Sequence, residues 1–516
     1  MRKVILVTYF RLKENGISRL SYYLKHICSK IHLLKNMFFS FACLKRFTVF
    51  LLFAFYSLFF SSCASNMTAY YGKLRTKIDT GEYQEAAKLV DKSQKKVYGS
   101  KSILMYYFDA GIVNHFAKNY DVSSKKFEDA KALYAQYYQK SISAGIASMF
   151  FNDSTIAYYG NEFERAHVSI FEALNYILQG RTNESVVEAR QIDTLFKNWA
   201  IEQNYKNFYK DDGFIRYFMG LVYENADYLN DAHISYYRAL QAYKKDVIPL
   251  KIPAELIDDA YTSALNLGMS QRAKEIKKNY PQAKERVIPP GFGECIIVNY
   301  NGFVPEKIEH ILEFALGQIW AYVGSVEVDD DKEYKDFQKA KSIGISLFAN
   351  DYIKISFPKY KDIKNKICEF NITANNKEIK SVLVQDVGAI AKKTLDDKVG
   401  KIYAKTLARA AVKYVIGKSV SKKVEESSGN ALGVLSQITF NLYNSLSEKA
   451  DTRAWNTLPD TVLMARFYLP KGKQSIIINY LGKSGRILDS QTIELDIKAG
   501  KKNFYVVRNS MMDNAQ

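Results

Sequence analysis

The stretch FIRYFMGLVYENADYLNDAHISYYRALQAYKK, Phe214–Lys245, decides how the first half of this chain is read. Gly220, Tyr223, Ala232, Tyr236 and Ala239 fall at offsets 0, 3, 12, 16 and 19. Steps of three in the first part and of four and three in the second place these residues on one face of each of two helices. Tyr228-Leu229-Asn230-Asp231 supplies the turn between them. The small residues let two antiparallel helices approach, and the aromatic rings fill the space between them.

This spacing is similar to the tetratricopeptide pattern, a helical hairpin that stacks on copies of itself. The same offsets lie over Gly111, Asn114, Ser123, Phe127 and Ala130, with Lys118-Asn119-Tyr120 as the turn. Thr80–Leu89 reads as half a unit, and Tyr159–Ala166 as a turn and helix continued by Phe171 and Leu174. A last pair runs from Ala254 to Tyr280, ahead of Pro281. Residues 63–288 are therefore expected to form a tetratricopeptide-like helical solenoid.

Pro289-Pro290-Gly291-Phe292-Gly293 ends that pattern. Beyond it, residues 289–516 are expected to form an α+β domain, mainly antiparallel β with a helical insertion at about 387–448. Glu294–Tyr300 reads as a strand, 308–323 as a short apolar helix, and Ser342–Phe357 as one or two strands because Ile343, Ile345 and Leu347 alternate. Glu369–Thr373 and Lys380–Val384 suit a hairpin about Asn375-Asn376. Helices are expected over Val387–Glu426 and Ala431–Glu448, then strands over Val462–Leu469, Gln474–Leu481, Arg486–Leu495 and Lys502–Arg508.

The N-terminal 62 residues read as a leader. Lys45-Arg46 precede an apolar run, Phe47–Phe60, that is shorter than the roughly 20 residues a spanning helix needs. Ser61-Ser62-Cys63 follows, and resembles a bacterial lipoprotein box in which the cysteine sulfur is acylated; Phe60 stands where the usual box has an aliphatic residue. Met37 would open a leader of ordinary length. Residues 1–62 hold ten Lys and Arg against one acid, so of the net +19 only +10 belongs to the remainder. That moderate charge and the expected export argue against a nucleic-acid partner. With Cys63 lipidated, Cys295 and Cys368 either pair or stay as free thiols.

No Gly-x-Ser-x-Gly elbow, phosphate-binding loop or dinucleotide fingerprint is present. The histidines lack metal-type spacing, and Asp329-Asp330-Asp331 lacks the alternating ligands of a calcium loop, so neither a metal nor a cofactor is expected. Glu162 and Glu164 suit a helix start. Glu188 and Arg190, within Val186–Arg190, form either a buried bridge or part of a groove. Asp451, Arg453 and Trp455, before Leu458-Pro459, either bind an anionic or planar ligand or pin the helical insertion to the sheet. The lysines recurring from Lys392 to Lys423 either meet an anionic surface or lie in water on an amphipathic helix.

Together, Ser61-Ser62-Cys63, Tyr159-Gly160 with Glu164, Val187–Arg190, Cys295–Val298 with Gly302 and Pro305–Lys307, and Ala450–Pro459 resemble an uncharacterised family of bacterial lipoproteins with a tetratricopeptide-like N-terminal half and a strand-rich C-terminal domain. The resemblance implies an exported, lipid-anchored protein and no named activity. The reading that follows is a non-enzymatic adaptor of the cell envelope, tethered through Cys63 and gripping envelope proteins in a concave helical surface. Ala64 after the cysteine favours the outer membrane, facing the periplasm, over the inner one. The alternative is a ligand-binding or enzymatic envelope protein with its site around Asp451, Arg453 and Trp455.

Overall fold

A computed structural model describes residues 63–143, 157–202, 211–245, 248–325, 331–428 and 449–512. The leader, the expected helix over 431–448, and Asp329 and Asp330 lie outside the described residues, as does the Cys63 side chain. Residues 71–516 form one compact unit holding both the helical and the strand-rich parts.

Helices α1 (Cys63–Asp79), α2 (Tyr83–Ser93), α3 (Ile103–Phe116), α4 (Tyr120–Ser143), α5 (Glu162–Leu178), α6 (Thr182–Glu202), α7 (Gly213–Asn225), α8 (Leu229–Lys245), α9 (Ala254–Asn266) and α10 (Ser270–Asn279) follow in order. From α3 on they pack as successive antiparallel pairs. The glycines explain how closely. A Cβ on Gly220 would stand 2.3 Å from the Tyr236 ring, and one on Gly111 would stand 2.3 Å from the Phe127 ring. In both pairs the ring sixteen residues on fills the space that glycine leaves, and Ala232 and Ala239 are buried alongside it. Tyr223 is buried as well. The turns carry left-handed residues, Lys118 and Asp227 among them.

The strand-rich part begins with β1 (Phe292–Asn301) and β2 (Glu306–Ala315), then α11 (Leu316–Ser325), α12 (Asp331–Phe348) and β3 (Tyr352–Lys361). β4 (Ile367–Ala374), β5 (Lys377–Lys380) and β6 (Val382–Asp386) lead into α13 (Val387–Ser428). β7 (Thr461–Pro470), β8 (Gly472–Gly482), β9 (Ile487–Ile497) and β10 (Lys502–Asn509) complete it. One sheet has the order β10-β1-β7-β6 and another β5-β4-β8-β9, while β2 and β3 form a separate ribbon. Cys295, Ile297, Phe467, Phe370, Ile478 and Leu495 belong to one core between the two four-stranded sheets.

β1 is buried along nearly its whole length. Its odd-numbered residues enter the sandwich core; its even-numbered ones, Glu294 to Tyr300, face the helical half. This double burial is why Cys295–Val298 reads as a continuous apolar run.

Two expectations need correction. Residues 306–315 form a strand, and only Leu316–Ser325 is helical. Ile308, Leu312 and Phe314 keep a period of two, and the strand closes on β3, distant in sequence. Ser342–Phe348 is helical, and the strand begins at Tyr352. The residues of α12 that pack inward, Phe337, Ala340, Gly344 and Phe348, are spaced three and four apart. That helical stripe overrides the local alternation. Cys295 is a buried free thiol and Cys368 an exposed one, so they do not pair.

Candidate functional site

Helices α3, α5, α7 and α9, the first of each pair, present one face, and the strand-rich part covers it. Phe108 of α3 stacks on Trp455 at 4.5 Å between ring centroids, and Phe171 of α5 lies 4.8 Å from Tyr300 of β1. Phe218 of α7 meets Phe504 of β10 edge-on. Polar contacts join the same surfaces. His167 on α5 and Asp212 at the start of α7 both bond Gln385 of β6, at 2.9 and 2.8 Å. The surface expected to grip a partner peptide is therefore occupied by the chain's own sheet.

A buried ion network locks the far end. Arg466 on β7 bonds Glu294 of β1 through Nη2 at 2.6 Å and also pairs with Asp259 of α9. Arg286 pairs with both acids, and Lys502 Nζ reaches Glu294 at 2.7 Å and Glu224 at 3.1 Å. Burial alone would raise the Glu294 carboxyl; Arg466, Lys502 and Arg286 together hold it well below its ordinary value. Elsewhere, Glu188 finds its partner in Lys131 at 2.9 Å, which also binds Glu172 at 2.8 Å. Arg190 instead lies over the Tyr228 ring. The Val186–Arg190 segment thus holds a buried bridge, though not between its own two charges.

The segment 450–460 is the second join. Arg453 forms a two-pronged pair with Asp451, Nε to Oδ1 at 2.8 Å and Nη2 to Oδ2 at 2.7 Å. The same guanidinium donates to the Lys101 carbonyl and lies over the Tyr158 ring. Against the burial that would raise it, Arg453 holds the Asp451 carboxyl below its ordinary value. Trp455 is fully buried; its indole N–H donates to Thr457, and its backbone N–H donates to Glu164 at 2.7 Å. Glu164 also closes a capping box with Asn161 and accepts from Tyr158. Asp451, Arg453 and Trp455 do come together, and among the described residues the loop they stiffen docks on the helices.

Asp451 and Arg453 also reach a cavity of about 290 Å³ at the junction of the helical half, the β2–β3 ribbon and α13. Its wall includes Tyr158, Lys307, Ser356, Thr406, Arg409 and Lys449. Trp455 is not part of that wall and stacks on Phe108 instead. From sequence, Arg409 stood only among the basic residues of a helix, Lys307 only within Pro305–Lys307, and Ser356 had no role; only the fold brings them together.

On α13, several lysines pair with acids while staying partly exposed to water. Lys398 reaches Glu162 at 2.8 Å, Lys418 reaches Asp351 at 2.5 Å, and Lys392 pairs with Asp362. Among the described residues no group of His, Cys, Asp and Glu is arranged to hold a metal ion.

A second opening, of about 670 Å³, lies between the helical turns at Gly180–Asn183 and Asn225–Asp227 and the strand β10, with Phe504 and Tyr505 in its wall. β10 stands at the end of its sheet. Glu294 N–H bonds the Lys501 carbonyl, and Gly302 N–H bonds that of Asn509. This register turns the backbone of odd-numbered β10 residues toward β1, and that of Phe504 and Val506 toward the free edge.

No protein-family model matches the chain, and no curated protein matches it. Solved structures similar to it are helical-repeat proteins. MamA AMB-1 is 16% identical with a TM-score of 0.25, over 42% of this chain and 94% of its own. The nearly identical TPR-like repeats of a Podosopora anserina kinesin light chain-like protein are 14% identical with a TM-score of 0.29, over 42% and 92%. YrrB, described as a TPR protein with an unusual peptide-binding site, is 14% identical with a TM-score of 0.25, over 41% and 86%. The architecture itself is a run of paired helices, closed at Gly111–Phe127 and Gly220–Tyr236, joined to a strand-rich part carrying helices.

Proposed function

We propose that this protein is a non-enzymatic scaffold of the bacterial cell envelope, tethered by lipid on Cys63, that docks a partner along the edge of β10. The observation that carries the docking surface is the open ladder edge at Phe504 and Val506 beside the groove of about 670 Å³. An unpaired strand edge offers a row of N–H and C=O groups, and the occupant that satisfies them is an extended segment of a partner protein. Tyr83 donates to the Arg508 carbonyl and closes the far end of the edge, which limits the docked segment to a few residues. The first-helix face is not offered, because Trp455, Tyr300 and Phe504 fill it.

Tethering and an outer-membrane, periplasm-facing location rest on the Ser61-Ser62-Cys63-Ala64 sequence. The test is capture of partners from solubilised membranes with the natural chain and with Val506→Pro, which removes one outward N–H and leaves the helices untouched. A discrete protein recovered with the natural chain and lost with Val506→Pro supports the reading. Equal recovery with both rules out the β10 edge. Labelled palmitate entering the natural chain and not Cys63→Ser tests the tether separately.

A further inference from the structure

The β2–β3 ribbon places Lys307 and Ser356 on one face, since Lys307 pairs with Tyr360 and Ser356 with Ile311 in the register, and both line the cavity of about 290 Å³. Ser356 is 8% exposed, yet among the described residues its hydroxyl has no hydrogen-bond partner. Lys307 is partly buried and makes no ion pair or hydrogen bond among the described residues; Asp451 and Glu164 act on it only at a distance. Buried polar groups are ordinarily satisfied, so two side chains without a partner on one wall call for an explanation. Around them stand Arg409, buried in α13, Arg453 and Lys449. Among the described residues the lining holds a single acid, Asp451, and Arg453 binds it through two hydrogen bonds. The described wall thus carries more cations than acids, with the Lys307 ammonium and the Ser356 hydroxyl as donors.

We propose that this cavity binds a small oxyanion, a phosphate or carboxylate group on a compact organic body, with Lys307 as its counter-ion and the Ser356 hydroxyl as donor. Guanidinium and ammonium groups in a partly dry site recognise such anions by charge-assisted hydrogen bonds. The volume is at the low end of ligand pockets, about 300–1,000 Å³, so a polymer does not fit. The Tyr158 ring gives the body of the ligand an apolar wall. The site is separate from the β10 groove and does not depend on it.

Bound anion stabilises the folded state by mass action, so thermal melting reads the site directly. The mature chain is melted with increasing inorganic phosphate against chloride of equal ionic strength. A saturable rise in melting temperature is expected, with affinity falling at least about tenfold in Lys307→Met and severalfold in Ser356→Ala. Lys88→Met, far from the cavity, leaves the response unchanged. If Lys307→Met does not fold, Ser356→Ala decides alone. Phosphatidylglycerol vesicles form the second arm. Sedimentation of the natural chain but not of Lys307→Met makes the oxyanion a lipid headgroup, and a phosphate response without sedimentation makes it a soluble anion. Absence of a saturable response to both probes, or the same response in both variants as in the natural chain, overturns the site.

Discussion

The Glu164 carboxylate accepts the backbone N–H of Trp455 at 2.7 Å, joining residues 291 positions apart across the seam between the helical and strand-rich parts. The same carboxylate accepts from the Asn161 N–H and the Tyr158 hydroxyl, each at 2.5 Å. One side chain thus caps α5 and anchors the 450–460 loop. Glu164→Ala removes the cap and strands a buried N–H, and is expected to cost about 3 kcal/mol. Urea unfolding monitored by circular dichroism measures this; a loss no larger than that of an ordinary surface substitution would contradict the dual role.

Arg466 is expected to be more costly still. Its removal leaves Asp259 and Glu294 buried with less compensation, and breaking such a network costs about 3–5 kcal/mol. Arg466→Met should therefore lower stability by that amount, and adding Glu294→Gln should recover part of it, because one unpaired charge disappears. A double variant weaker than the single one would show that Glu294 stabilises by itself.

Gly220 and Gly72 should respond in opposite ways to the same change. Gly72→Ala meets no atom within 4 Å and removes helix-interior glycine, a gain of about 0.5–1 kcal/mol. Gly220→Ala drives a methyl into the Tyr236 ring and is expected to lose about 1–3 kcal/mol. Paired melting curves of the two variants decide whether close helix approach, rather than helix propensity, fixes residue 220.

Asp109 makes the fold favour its protonated form. Burial pushes its carboxyl up to about 6 from 3.8, against hydrogen bonds donated by Thr457, Tyr98 and Tyr71. A folded-state value above the unfolded one means the native state binds more protons between the two. Stability then falls as pH rises from about 4 to about 6, by about 3 kcal/mol for a shift of this size. Asp109→Asn should lack that component, so the difference between natural and variant stabilities should change across this window and be flat above it. A constant difference from pH 4 to 7 would contradict the assignment.

The helical half was legible because its signal is local. Gly220 and Tyr236 lie one hairpin apart, and their spacing alone encodes the contact. The tail strands β7 to β10 were legible for a similar reason, their turns being marked by Gly472, Gly485 and Gly500, all with positive φ. β2 was not, because the strand that completes it begins only at Tyr352, beyond two helices. The seam was hidden for the same reason. Nothing near Arg466 in sequence announces Asp259 or Glu294, and the loop 450–460 gave its residues but not the surface it docks on. Of the candidate cavity, Asp451 and Arg453 were visible as a close pair, whereas Lys307 and Ser356 join them only through the ribbon register.

The first-helix face and the sheet form one unit joined along the seam. Calorimetry of the chain from Cys63 onward, natural and Arg466→Met, tests it most directly. If the seam holds, the helical and strand-rich parts melt in one cooperative transition that Arg466→Met moves as a whole to lower temperature. Two independent transitions, with Arg466→Met shifting only one of them, would mean that the sheet rests on the helices without sealing them.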